Sequence, residues 1–171
     1  MSPEAAGAVA AVDPRDFRRS LGLYATGVAV VTTTAPGGGN VGLTINSFAS
    51  VSLDPPLILW SLAKTSPRLG LFATAEHFAV NILAKAQEDI CTRFARPGED
   101  RFAGLDTAPG IGGVPLIPDC LAHLECAREQ VIEGGDHLIL IGRVLRHRRT
   151  DGQDALVFCN GVFTGIPTEK H

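Results

Sequence analysis

The sequence predicts a mainly β chain with peripheral helices, its strands forming a closed or nearly closed antiparallel barrel. Three observations carry that expectation. Six or seven segments have the β-branched or alternating composition of strands, and most are joined by short turns. Helical spacing of apolar residues is confined to the start and the middle of the chain. Strand and helix do not alternate regularly, which argues against a doubly wound parallel sheet.

At 171 residues the chain suits one domain, expected over residues 13–167, with tails at 1–12 and 168–171. Its 45% apolar and 19% charged residues and net charge of −3 give no basic excess to attract nucleic acid. The basic run at residues 143–149, RVLRHRR, reads as a solvated strand and turn. No apolar run approaches the roughly 20 residues that span a bilayer. The first residues carry Glu4 and no Lys or Arg, unlike a secretory leader, so a cytoplasmic location is expected. Cys91, Cys120, Cys126 and Cys159 form no C-x-x-C pair; they read as free thiols, mostly packed, and no metal site is expected.

Taken in order, Asp13-Pro14 is a cap followed by a first-turn proline, and Phe17, Leu21 and Tyr24 continue at helical spacing. That predicts a helix over residues 14–25. Residues 28–34, VAVVTTT, read as a strand. The glycine run that follows matches G-x-G-x-x-G over residues 37–42, but a strand, not a helix, comes next. A hairpin turn is therefore expected there, not a dinucleotide fingerprint.

Residues 42–66, GLTINSFASVSLDPPLILWSLAKTS, organise the rest. Apolar Leu43, Ile45, Phe48, Val51 and Leu53 are interleaved with Thr44, Asn46, Ser47, Ser50 and Ser52, which reads as one β-like segment. Asp54-Pro55-Pro56 breaks it, and a second apolar run ends in Ser61, Lys64, Thr65 and Ser66, hydroxyls around one cation. The second patch suits a phosphate, and the two together suit one long ligand with a polar ring and a phosphate. Ser66-Pro67 starts a short helix to residue 75, so an anion at Lys64 and Ser66 would meet a helix N-terminus. Residues 78–83, FAVNIL, read as a buried strand whose Asn81 satisfies backbone groups, and residues 84–95 as a helix.

Residues 96–118 form the longest irregular segment, with five glycines and four prolines. Within it Arg101-Phe102 is the candidate for ligand contact, since a phenylalanine there would cover a flat ring. Strands are expected again over 121–132, 136–145 and 155–163, with turns at Gly134-Gly135 and Asp151-Gly152. His137 enters a strand from a glycine turn and is either a hairpin residue or a group at the site mouth. Phe163 is either core or an aromatic ring near that mouth.

The motifs T-x-N-S-F-x-S-V-S-L-D-P-P-L (44–57), K-T-S (64–66), F-A-V-N-I-L (78–83) and G-D-H (135–137) resemble those of the flavin reductase family, over residues 17–166. Its members are the small reductase components of two-component flavin-dependent monooxygenases. The resemblance implies an antiparallel Greek-key split β-barrel of the FMN-binding type, usually a homodimer with the flavin near the subunit interface. It also implies reduction of FMN or FAD by NADH or NADPH, with reduced flavin passing to a separate monooxygenase. Thr44, Asn46 and Ser47 would then hydrogen-bond the flavin ring and ribityl chain, while Ser61, Lys64 and Ser66 would face the phosphate. Arg101 and Phe102 would lie against the flavin, and His137 would help seat the nicotinamide. Phe163 stands where many relatives carry a tyrosine, so that hydroxyl is missing here.

That chemistry agrees with the residues themselves. Hydride transfer between two cofactors needs no protein nucleophile; it needs two flat rings held face to face. Among side chains His137 is the best single functional candidate. Two other readings stay open at this level: a protein of the same fold that keeps its flavin for electron transfer or oxidase chemistry, and a non-catalytic interaction module.

Overall fold

The computed structural model describes residues 11–98 and 100–168, so most of the two expected tails lies outside the described residues. Helix α1 (Pro14–Gly22) starts where its cap dictates. Asp13 Oδ1 accepts the N–H groups of Arg15 at 3.0 Å and Asp16 at 2.8 Å. It stops short of residue 25, because the Leu23 and Tyr24 N–H groups fold back onto the carbonyls of Ser20 and Leu21. None of its residues is buried; Phe17, Leu21, Leu23 and Tyr24 are 53–79% exposed.

Strands β1 (Thr26–Gly27), β2 (Ala29–Thr34), β3 (Asn40–Ile45), β4 (Ala49–Leu53) and β5 (Pro56–Ala63) follow. Helix α2 (Leu69–Thr74) and β6 (His77–Ile82) lead to a 3-10 turn, Lys85–Gln87, and helix α3 (Glu88–Ala95). Next come short β7 (Ala108–Pro109) and β8 (Pro115–Leu116), and the long hairpin of β9 (Ala122–Gly134) and β10 (His137–Arg149). Strands β11 (Ala155–Cys159) and β12 (Val162–Ile166) end the described chain.

The chain is mainly β, and every ladder is antiparallel. Seven strands form one sheet in the order β3-β2-β6-β9-β10-β5-β4, and β1-β11-β12 form a second. The outermost strands of the large sheet, β3 and β4, are consecutive in the chain and separated only by Asn46, Ser47 and Phe48. Laid flat, seven strands would hold those edges roughly 29 Å apart at about 4.8 Å per step. The link from Ile45 to Ala49 reaches at most about 14 Å. The sheet is therefore curled enough to bring the end of β3 and the start of β4 within that reach.

Rolling encloses a core of Val31, Ile58, Trp60, Leu62, Phe72, Phe78, Val80 and Leu140. Trp60 stands edge-on to Phe72 at 5.2 Å and to Phe78 at 5.8 Å between ring centres. Gly142 on β10 leaves room for this cluster, since a Cβ there would lie 2.4 Å from Phe78 Cζ. A second core, with Val28, Val30, Leu83, Ile90, Phe94, Ile117 and Leu156, fills the space under α3 and the small sheet. Strand β2 serves both: Val31 faces the first core and Val30 the second, as alternation requires. Cys91, Cys120 and Cys126 are buried as expected, and burial pushes the Cys120 and Cys126 thiols up to about 12.

The structure corrects the sequence reading in four places. Residues 42–53 are not one segment, because the strand breaks at 46–48 to carry the chain from one sheet edge to the other. The helix expected from Ser66 begins at Leu69; Ser66 instead anchors a turn, its Oγ accepting the Arg68 N–H at 3.3 Å. Residues 84–95 start as a 3-10 turn, where Gln87 Oε1 accepts the Ala84 N–H at 3.1 Å and Gln87 Nε2 donates to the Pro118 carbonyl at 2.8 Å. The single strand expected over 155–163 is a hairpin, turned by Asn160-Gly161 with φ of 47° and 81°. The Asn-Gly pair is a strong hairpin signal that the apolar run concealed.

Asn81 does what a buried asparagine is expected to do. Fully buried, it donates to the Val30 carbonyl (2.9 Å) and Thr32 Oγ1 (3.1 Å) and accepts the Ile117 N–H (2.9 Å). It thereby ties the irregular segment to β2. Asn81→Ala strands buried polar groups and is expected to cost about 2–3 kcal/mol. A lower urea midpoint at unchanged slope will show it.

Candidate functional site

The link between the sheet edges is the first part of the site. Ser47 Oγ donates to the Ser61 carbonyl at 3.1 Å and accepts the Ser61 N–H at 3.0 Å, replacing a ladder bond between the link and β5. Thr44 Oγ1 donates to the Cys91 carbonyl at 2.7 Å, fixing β3 to α3. Asn46 is exposed, and among the described residues neither its carboxamide nor the backbone N–H groups of 46–48 find a partner. A row of unengaged donors next to a half-buried strand suits the polar rim of a flat heterocycle.

The second part lies at the C-terminal end of β5. Ladder register sets His137 opposite Ala63, and the Lys64 N–H donates to the Asp136 carbonyl at 2.9 Å. The pairing of β5 with β10 thus brings together Lys64 and His137, remote in sequence. His137 Nδ1 and Asp136 Oδ1 share a hydrogen bond of 2.7 Å. That bond and the imidazole's charge, with Lys64 adding less, hold the Asp136 carboxyl below its ordinary range. Lys64 Nζ pairs with Glu133, but both side chains are exposed, at 40% and 73%. Such a pair is worth at most about 1 kcal/mol, so the ammonium is readily surrendered to a stronger anion. Ser61 and Ser66 sit on either side of Lys64 in the chain, both half-buried.

Arg101 and Phe102 are placed differently from the rest. Arg101 is 7% exposed, and its guanidinium donates to the carbonyls of Phe94 (2.7 Å), Gly42 (3.2 Å) and Arg96. It clamps the irregular segment to β3 and to the end of α3. Phe102 stands edge-on to Phe94, 4.9 Å between centres. Gly42 admits both rings, because a Cβ there would lie 2.6 Å from the Phe94 ring. Arg101 and Phe102 also line a cleft of about 350 Å³ with Gly42, Pro67, Arg68 and Leu71, one residue beyond Ser66. Phe163 sits apart, across from Phe158 in the small sheet at 5.1 Å and against the second core. Within this chain it does not join the His137 end.

A larger cleft, about 630 Å³, lies at the other end of the β9–β10 hairpin and contains none of these residues. At its floor Glu125 takes two bonds of 2.6 Å from Arg146 and a third of 2.7 Å from the Ile111 N–H. These bonds brace the 108–113 turn against the sheet. Glu125, Arg146 and Arg68 were missed by sequence reasoning, since an acid in an apolar strand and an arginine after a proline carry no motif. Only cross-strand register exposes the first pair.

Residues 21–167 match the family model described as the flavin reductase like domain. The chain belongs to the flavin reductase family. It is 50% identical over 149 residues to FMN reductase (NADH) SmoA of Agrobacterium fabrum, covering 87% of this chain and 84% of that one. It is 41% identical over 166 residues to the reductase subunit HsaB of a flavin-dependent monooxygenase from Rhodococcus jostii, covering 96% and 85%. Two other relatives are longer, and the chain spans 65% and 48% of them. Among solved structures, the Streptomyces globisporus NADH:FAD oxidoreductase SgcE6, in complex with NAD and FAD fragments, superposes with a TM-score of 0.86 at 36% identity, covering 95% of this chain and all of that one, 100%.

The charge on Glu125 yields a pH test. The hydrogen bond from Arg146 lowers its pKa, with the Ile111 N–H and the charges of Arg146 and His123 adding to that and burial opposing it. A depressed carboxyl stabilises the fold fully above its unfolded value, and the contribution is lost as pH falls through the folded value. The stability gap between the native chain and Glu125→Gln is expected to stay level from about pH 8 to 5.5 and to narrow below about 4.5. Urea midpoints across that range measure it; a gap independent of pH refutes it.

Proposed function

We propose that this chain is an NADH-driven flavin reductase in which the 46–48 link holds the flavin ring and the end of β5 holds its phosphate. The convergence of Asn46, Ser47, Ser61, Lys64, Ser66 and His137 along one line of the rolled sheet carries the reading. It is supported by the unengaged donors of the link and by a lysine held only by an exposed pair. FMN or FAD, when bound, supplies the capacity to accept a hydride from the reduced nicotinamide.

The chain's own residues then have positioning roles. Asn46 and the backbone N–H groups of 46–48 hydrogen-bond the ring and favour the negative charge that reduction brings. Thr44 and Ser47 keep the link rigid, through Cys91 and Ser61 respectively. Lys64 leaves Glu133 for the phosphate, with Ser61 and Ser66 donating hydroxyls. His137, oriented by Asp136, seats the nicotinamide carboxamide. No side chain needs to move a proton. Phe102 covers one side of the ligand from the loop, while Arg101 fixes that loop in place.

The rolled sheet with an unpaired joint between β3 and β4 favours the split-barrel form of the fold, with Greek-key connections. A homodimer is favoured by the apolar stripe of α1 and by edge strand β4, where Val51 is 47% and Leu53 95% exposed. Phe163 then belongs to the nicotinamide side of a site completed by the second subunit. Reduced flavin leaves for a separate monooxygenase in the same cytoplasm.

Oxidation of NADH followed with and without FMN, FAD or riboflavin tests the function. Turnover that rises and saturates with free flavin is expected. A yellow protein that keeps its flavin through dialysis and turns over slowly points instead to an electron carrier, and absence of flavin binding to an interaction module. Lys64→Ala is expected to weaken FMN roughly tenfold and leave riboflavin unchanged. His137→Ala is expected to raise the KM for NADH by more than it changes flavin affinity; unchanged kinetics would make it a hairpin residue.

A further inference from the structure

The lysine assigned to the flavin phosphate already holds an anion of the chain's own. Lys64 Nζ pairs with Glu133 of β9 at the tip of the β9–β10 hairpin. The ladders dictate the meeting. Lys64 follows β5 directly, and its N–H is fixed on the Asp136 carbonyl at 2.9 Å. Leu138 on β10 stands opposite Leu62 on one side and Glu133 on the other, so the three share a face. Two residues beyond Leu62, Lys64 returns to that face. Ser61 and His137 fall on the opposite face by the same alternation. The ion pair therefore draws the ammonium away from the side on which Ser61 would meet a phosphate.

The pair does little for the fold. Both side chains are exposed, and an ion pair in water contributes little to stability and exchanges readily. Asp136, also exposed, brings a second carboxylate to the same hairpin tip. A phosphate that takes Lys64 thus arrives against two negative charges, one of which must give up the ammonium. Glu129, four residues earlier on the same strand, has a cation of its own: Arg143 donates to it at 2.9 and 2.7 Å. Of these two strand acids, it is Glu133 that takes the cation the ligand needs.

We propose that Glu133 is a built-in competitor of the flavin phosphate for Lys64, which keeps flavin affinity modest and speeds flavin release. The proposal rests on the flavin reductase reading, with Lys64 as the cation of the phosphate. A tethered carboxylate is present at a fixed effective concentration, so its competition multiplies Kd by a constant factor. An exposed pair forms with an equilibrium constant of about 1–5, which makes that factor about 2–6. As the phosphate lets go, Glu133 takes the ammonium and hinders its return. Riboflavin has no phosphate, makes no demand on Lys64 and escapes the competition. A reductase whose product serves a separate enzyme turns over faster when release is not slow.

The experiment compares the native chain with Glu133→Gln, Lys64→Ala, the double variant and Glu129→Gln, after thermal melts establish folding. Flavin fluorescence titrations give Kd for FMN and riboflavin, and stopped flow gives the rate of FMN release. Glu133→Gln is expected to tighten FMN by about twofold to sixfold and to slow its release in proportion, with riboflavin unchanged. The gain is expected to fade as salt is raised and to disappear in the Lys64→Ala background. Glu129→Gln, which removes the same charge from the same strand, is expected to leave FMN affinity as it is. An equal gain from Glu129→Gln, or a gain that persists without Lys64, would reduce the effect to general repulsion and overturn the proposal. Unchanged or weaker FMN binding in Glu133→Gln would also overturn it, while loss of FMN but not riboflavin affinity in Lys64→Ala would leave the phosphate assignment standing. If Lys64→Ala binds FMN as the native chain does, the phosphate assignment falls and the proposal with it.

Discussion

Asn46, Ser47 and Phe48 hold together two strands that a flat sheet would keep farthest apart. Everything else in the molecule accommodates that constraint. The sheet must roll, so one face of every strand becomes interior and can bury Trp60, Phe72 and Phe78. The joint is made without ladder bonds, so among the described residues its backbone donors find no partner. The break that shapes the architecture is therefore also what leaves hydrogen-bonding capacity for a ligand. Ser47 prevents the joint from opening by taking both backbone groups of Ser61 with one hydroxyl.

Two of the charge pairs on the β9–β10 hairpin show how the same chemistry serves opposite ends. At the hairpin tip, Lys64 and Glu133 meet in water, where attraction is weak and exchange easy. At the far end, Glu125 is nearly buried and takes three donors, from Arg146 and Ile111, so exchange is costly. Burial, not the identity of the charges, separates a reservoir of binding capacity from a structural brace.

Much of this was legible in the sequence. Strand residues with β-branched runs, the Asp13 cap, the glycine turns and the role of Asn81 follow from local chemistry, and the β5–β10 register brings together Lys64 and His137, which the motifs had named separately. What was not legible depends on position in three dimensions. The apolar pattern of residues 42–53 runs unbroken through a point where the chain changes sheet edge. Asn160-Gly161 was hidden inside a run that satisfied strand composition. Arg101 reads as a ligand contact from its place in the loop, and its backbone carbonyl partners appear only in the fold; Phe163 falls on a different sheet from the histidine it was grouped with.

Strand β2 is a wall common to two interiors, with Val31 facing one and Val30 the other. Neither interior can loosen alone, because the strand that would have to peel from one is packed into its neighbour. Melting should therefore be cooperative across both, and a cavity carved in one should be felt in the other, so that paired substitutions on opposite faces of β2 couple instead of adding. The 46–48 link and the braced hairpin end then share one fate on heating. A chain built this way has no half that survives the loss of the rest.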